Sequence, residues 1–263
     1  MEKIIMLGTG HGMTLDLYNT CFVLQNEEEN FLIDTGGGAE LINRLLYKNI
    51  DLDSIRHIFI SHSHIDHIMG FLWLMKKQGL KLDYYIHLYC NDLVYENIIM
   101  LIGLVLNQKF LDIFKKYVVV HILKDNDSYT IGGNTYTFFD ILGKGVKQFG
   151  FEWMIDNKKY MFLGDESLSK ELYSRVENAY FVMHEAFCLD SEESIFKAYQ
   201  KNHSTVKSAC CVLDSLHVKN VLLYHTEDTH KNRKELYLEE AKKSFKGHVF
   251  IPDDLEEIEI NSI

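Results

Sequence analysis

Proline is nearly missing from this 263-residue sequence: its one copy, Pro252, stands close to the C-terminal end. Polyproline linkers and stalks are thereby excluded. Cysteine is scarce and carries no pattern, because Cys21, Cys90, Cys188, Cys210 and Cys211 form an odd set without a C-x-x-C pair. That implies neither a disulfide framework nor a cysteine zinc site, and these residues are expected to be reduced and buried. Long apolar runs are missing as well. The longest, Ile98 to Leu106, falls far short of the roughly 20 residues that span a bilayer. The apolar stretch ending at Leu7 suits an opening strand better than a signal peptide, so the expectation is a cytoplasmic protein without a membrane segment. Positive charge is the last deficit: 27 basic against 38 acidic side chains give −11, the wrong sign for gripping a nucleic-acid backbone by counterion release.

What is present suits one soluble globular unit, since 47% hydrophobic and 25% charged residues supply an ordinary core and an ordinary surface. The N-terminal third reads as short strands, Lys3 to Leu7, Cys21 to Gln25 and Phe31 to Ile33, separated by the glycine loop Gly8-Thr9-Gly10-His11-Gly12. Asp34-Thr35-Gly36-Gly37-Gly38 ends the third, and Ala39 to Lys48 has helical spacing. His57 to Ile60 is a compact strand, and Ile68 to Lys77 reads as a helix. Helical pattern continues from about Asn91 to Lys116, inside a tyrosine-rich and aliphatic stretch at about 85–117 that reads as a helical insertion. A meander over Tyr117 to Leu142 follows, then a hairpin around Asp156-Asn157, then alternating strand and helix to Ile251. Meanders joined to later α/β alternation predict an α/β protein with two sheets in a sandwich and helices outside.

Between the strand and helix lies Ser61-His62-Ser63-His64-Ile65-Asp66-His67. In an extended segment alternate side chains share a face, so His62, His64 and Asp66 are expected to converge while His67 turns with the start of the helix. Imidazole and carboxylate are ligands for zinc and similar divalent ions. A centre of two ions also needs a bridging carboxylate and a further histidine, for which Asp165 and His225 stand at the ends of the apolar strands Met161 to Leu163 and Val221 to Tyr224. Asp34 holds the same kind of place and is expected to orient a ligand histidine. Taken singly, each of these three would more often be a turn or cap residue.

The H-x-H-x-D-H run, with Asp34 before it and Gly164-Asp165 and His225 after it, resembles the metallo-β-lactamase superfamily. Within it, His184-Glu185-Ala186-Phe187 is similar to the H-E-A-T element of ribonuclease Z, the tRNA 3′-processing endonuclease, and His203-Ser204-Thr205 matches its H-S-T element. Leu7-Gly8-Thr9-Gly10 and Asn19-Thr20-Cys21 are similar to its opening strand and loop. The resemblance implies a single domain over residues 1–263 with a four-layer αβ/βα sandwich. It implies that His62, His64 and Asp165 bind one ion and that Asp66, His67, Asp165 and His225 bind the other. It further implies attack by a metal-bound hydroxide, with Asp66 holding the water and a Glu185–His203 dyad protonating the leaving oxygen.

Two departures from the ribonuclease Z pattern stand out. The loop expected to give the first ion another histidine reads Leu142-Gly143-Lys144-Gly145, and His121 sits upstream inside an apolar strand. The ion at His62 and His64 is therefore expected to bind more weakly than its neighbour. The basic, glycine-rich arm that grips tRNA also has no room between Leu142 and Asp165. With the acidic balance, this argues against tRNA and for a small or short phosphodiester. A lactone, thioester or other carboxylic ester is the alternative, and a metal-binding relative with impaired catalysis is a third. Zinc is the expected metal, one or two ions, with iron or manganese suiting the same donors. The helices at about 85–117 offer a surface for capping the site, for a homodimer, or for plain packing on the sandwich.

Overall fold

Short apolar strands, most of them buried on both faces, assemble two seven-stranded sheets in the computed structural model, which describes residues 2–260. The first contains β1 (Lys3–Gly8), β2 (Cys21–Gln25), β3 (Asn30–Ile33), β4 (His57–Ile60), β5 (Ile86–Cys90) and β6 (Val118–Ile122) in sequence order, with β14 (Glu257–Glu259) beside β1. β1 to β3 form an antiparallel meander, whereas β3 to β6 run parallel. Parallel neighbours need crossovers. These are α1 (Glu40–Tyr47), α2 (Ile65–Gln78), α3 (Asp92–Leu101) and α4 (Gln108–Tyr117), the last two joined by a π-helical turn over Ile102–Leu106.

The second sheet has the order β13-β12-β11-β10-β9-β8-β7. β7 (Ser128–Ile131), β8 (Asn134–Asp140), β9 (Phe149–Ile155) and β10 (Lys158–Phe162) are antiparallel, and β11 (Phe181–Glu185), β12 (Asn220–Tyr224) and β13 (His248–Phe250) continue in parallel. The short α5 (Tyr173–Val176) and α6 (Glu193–Phe196) and the longer α7 (Val206–Ser215) and α8 (Arg233–Ser244) complete this half. Three apolar layers hold the stack: Leu41, Phe71, Ile98 and Phe114 under the first helices, Phe22, Phe59, Phe151 and Phe162 between the sheets, and Val206, Leu213 and Tyr237 under the last helices. The four-layer αβ/βα sandwich expected from the sequence is the observed architecture.

Three expectations are corrected. α2 begins at Ile65, with His64 as its extended N-cap residue, so Asp66 reaches the site from a helical first turn and not by strand alternation. Ile86–Cys90 is a central strand whose Leu88 and Cys90 are fully buried, which moves the start of the helical segment from about 85 to Asp92. β14 was not expected, because two of its three residues are glutamates. Among the described residues no helix is long and apolar enough to cross a membrane.

Candidate metal centre

Parallel strands release their chains at one edge, and polar residues placed just past strand ends collect there. Asp34 follows β3, His62 follows β4, Asp165 follows β10, Glu185 ends β11 and His225 follows β12. Both Asp34 and His225 take the left-handed backbone region, with φ of 52° and 58°, a conformation that turns the chain sharply out of its strand.

These turns bring together all the residues singled out in the sequence. His62 Nε2 lies 2.9 Å from His64 Nδ1 and 3.5 Å from Asp165 Oδ2. On the other side His67 Nε2 lies 3.5 Å from Asp66 Oδ2 and 3.3 Å from Asp165 Oδ2, and His225 Nε2 is 3.8 Å from Asp66 Oδ2. Donors held 2.0–2.1 Å from one tetrahedral ion stand about 3.3 Å apart, and among the described residues His62, His64 and Asp165 form one group, and Asp66, His67 and His225 another, whose donor atoms lie close enough together to hold a divalent ion. The donor atoms also lack other partners. His67 Nε2, Asp165 Oδ1 and both nitrogens of His225 are buried without a hydrogen bond, although His225 Nδ1 comes within 2.8 Å of Asp165 Oδ1. Buried polar atoms are normally satisfied, and a divalent ion satisfies several at once. The residues therefore fit the metal that the fold implies.

Electrostatics points the same way. Burial would raise the Asp165 carboxyl, yet His225 and His67 hold it well below the usual carboxylate range. Asp66 is likewise pulled down by His67 and His225 against the effect of burial. Burial would lower His225, but Asp165 and Asp66 raise it to about 9. His62, buried and beside His67, is pushed well down and stays neutral. The carboxylates thus demand positive charge, which a metal supplies when it displaces the imidazole protons.

Asp34 fixes which nitrogen each histidine presents. Its Oδ2 is 2.8 Å from His67 Nδ1, and a carboxylate only accepts, so Nδ1 carries a proton and Nε2 is the nitrogen turned to the cluster. Ser61 donates its N–H and its hydroxyl to the same carboxylate, and its Oγ is 2.9 Å from His62 Nδ1. The hydroxyl proton being committed to Asp34, Oγ accepts from His62, whose Nε2 also faces the cluster.

Glu185 and His203 flank Asp165. Glu185 Oε1 accepts the Ser204 N–H at 2.6 Å, while its Oε2 lies 3.5 Å from His203 Nδ1, which is 3.9 Å from Asp165 Oδ1. Leu142 stands half-exposed at φ 57° in a loop whose Lys144 and Gly145 amides are held by Glu166. His121 packs against His87 and Tyr89, among strands β5 and β6. Sequence reasoning missed His11 and Glu227, joined at 2.6 Å, and the ring of Phe187 beside them. The nearest signals were the glycine loop, whose Gly12 lies against Asp66, and the short distance in sequence from His225 to Glu227.

Fold, motifs and cluster together define a metal-dependent hydrolase of the metallo-β-lactamase fold, ribonuclease Z-like in its elements. Ribonuclease Z of Macrococcus caseolyticus (strain JCSC5402) is 24% identical over 98% of this chain and 99% of that protein. The metallo-β-lactamase fold protein YhfI of Bacillus subtilis superposes with a TM-score of 0.80 at 18% identity, over 98% of this chain and 100% of that one. The short form of human tRNase Z gives 0.75 at 21% identity, over 98% and 99%. A closer definition comes from the profile of the family described as Anti-Pycsar protein Apyc1, which matches residues 2–247. The chain belongs to that family.

Proposed function

We propose that this protein is a phosphodiesterase that hydrolyses a small or short phosphodiester in the cytoplasm, working as a single domain with one or two divalent ions, zinc first. His62, His64 and Asp165 would hold one ion, and Asp66, His67, Asp165 and His225 the other. When bound, such ions lower the pKa of water and neutralise charge on phosphoryl oxygens. The chain's own residues supply the rest. Asp66, at the start of α2, holds and deprotonates the attacking water. Glu185 Oε2 faces His203 Nδ1, which leaves His203 Nε2 to carry the proton that the leaving oxygen takes.

The observation that carries this reading is the Glu185–His203 pair at the rim of the carboxylate–imidazole cluster. A thiolate leaves unaided, whereas the alkoxide of a phosphodiester needs a proton. Substrate size is read from the segment before Asp165: β9 and β10 are joined by the two-residue turn Asp156–Asn157, with no arm for tRNA. The His62/His64 position has no further histidine at Leu142, so its ion is the weaker. Met100, Leu104 and Val105 are exposed on α3 and the π-helical turn, and this face suits a homodimer.

The test is to purify the protein, count its metals by elemental analysis, and assay chromogenic phosphodiesters and carboxylic esters with the parent and with Asp66→Ala. About two ions per chain and phosphodiester turnover that needs Asp66 are expected. Turnover of carboxylic esters alone, or equal phosphodiester turnover in both proteins, would sink the proposal.

A further inference from the structure

His203 is weakly anchored by polar contacts. Its Nδ1 stands 3.5 Å from Glu185 Oε2 and 3.9 Å from Asp165 Oδ1, both outside good hydrogen-bond range. Its faces are better defined. The Phe187 ring stacks on His203 with centroids 4.8 Å apart and planes 18° apart, and stacks on His11 at 4.2 Å and 20°. Lys201 Nζ lies 4.8 Å from the Phe187 centroid. His11 is itself locked. Met13 donates its N–H to His11 Nδ1 at 3.0 Å, so the proton sits on Nε2 and is given to Glu227 Oε1 at 2.6 Å. The Phe187 backbone is held independently of its ring. Its N–H donates to Ser204 O at 2.9 Å, and its carbonyl accepts from Glu227 N at 2.8 Å and from the Tyr237 hydroxyl at 3.0 Å.

We propose that Phe187, backed by the Glu227–His11 pair, is a positioning residue that sets the plane of His203 so that its Nε2 proton points at the leaving oxygen. The inference rests on the reading of His203 as proton donor. In that step the water oxygen bonds to phosphorus, the bond from phosphorus to the leaving oxygen breaks, the His203 proton goes to the leaving oxygen, and the water proton goes to Asp66. A ring that tilts loses transfer without losing substrate binding, since proton donation depends on distance and direction. The position is where the H-E-A-T element ends in threonine. Here it carries an aromatic face that reaches both His11 and His203.

The experiment compares two phosphodiesters that differ only in the leaving group: p-nitrophenyl, which departs unaided, and an alkyl group, which needs the proton. Phe187→Leu is expected to lower kcat for the alkyl ester by roughly 10- to 100-fold with KM little changed, and to spare the nitrophenyl ester. Phe187→Tyr should restore most of the loss. His11→Leu, which removes the ring behind Phe187, should give a smaller loss of the same selectivity and covers the case in which Phe187→Leu does not fold. His203→Ala separates the two claims. If it leaves the alkyl-to-nitrophenyl ratio unchanged, the donor reading fails and this inference falls with it. If His203→Ala shifts the ratio while Phe187→Leu and His11→Leu slow both esters equally, or neither, the positioning claim alone is overturned.

Discussion

Exchanging Asp34 for asparagine isolates the tautomer control of the site. In the parent, Asp34 Oδ2 accepts the His67 Nδ1 proton at 2.8 Å, and the same carboxylate accepts the Ser61 amide and hydroxyl. Asparagine keeps the shape and one accepting oxygen but places an NH₂ at the second position. An NH₂ can only donate, so it favours the tautomer with the proton on His67 Nε2, the atom that faces Asp66 and Asp165. That proton must be expelled before an ion can bind. Loss of such an orienting carboxylate typically costs 10- to 100-fold in metal affinity, or about 1.4 to 2.8 kcal/mol. The measurement is competition with a metallochromic chelator, with circular dichroism to confirm folding. Ser61→Ala serves as the partner variant: it leaves the Asp34–His67 bond and the Ser61 amide in place and removes the hydroxyl that donates to Asp34 and that His62 Nδ1 reaches, so it should weaken the ion at His62 and His64 more than the other. Unchanged affinity in a folded Asp34→Asn protein would refute the tautomer argument.

Two further predictions concern stability. His57, His87 and His121 stack across β4, β5 and β6, away from the metal cluster, and burial together with the charges of the other two rings lowers His57 to about 4. The folded protein favours the neutral ring, so this stability is complete above the unfolded value near 6.5 and drains as pH falls toward 4. The depression from 6.5 to about 4 sets a ceiling near 3 kcal/mol, which partial exposure cuts to roughly 1. Urea unfolding at pH 7 and pH 4.5 should therefore show His57→Phe losing about 1 kcal/mol less than the parent, and parallel losses would contradict it. Gly70 tests the docking of α2, because a Cβ there would meet Thr35 O at 1.9 Å. The clash is with backbone, so Gly70→Ala should cost on the order of 3 kcal/mol and lower Tm by roughly 6–12 °C. A Tm within about 2 °C of the parent would mean that α2 shifts freely against the Asp34 loop.

Much of this was legible in the sequence because local pattern and spatial outcome coincide. Apolar strands ending in Asp34, Asp165 and His225 read as strands, and parallel pairing necessarily delivers their ends to one edge. The way Asp66 enters the site was misread, since H-x-H-x-D looks like strand alternation while the helix already begins at Ile65. Ile86–Cys90 was hidden by the aliphatic run that follows it, which belongs to α3 and the π-helical turn. The His11–Glu227 contact spans 216 residues of chain, and no spacing rule in one sequence reports a partner so remote. Phe187 was read only as the last residue of the segment similar to H-E-A-T, and its place depends on two rings brought to it from other elements.

The cluster straddles the two sheets, and this bears on the order of events as the chain is made. Asp34, His62, His64, Asp66 and His67 all emerge early, on the first sheet, whereas Asp165, His203 and His225 belong to the second. A nascent chain holding only the first group would offer an ion imidazoles and the carboxylate of Asp66, Asp34 being engaged by Ser61 and His67, but no Asp165, and such an ion would exchange readily with its surroundings. Full coordination waits until the second sheet has closed over the aromatic layer between them. Ions bound by these residues would then act as a late-fitted rivet through the mouth of the sandwich, and chelation should loosen that rim while leaving the aromatic interior shut.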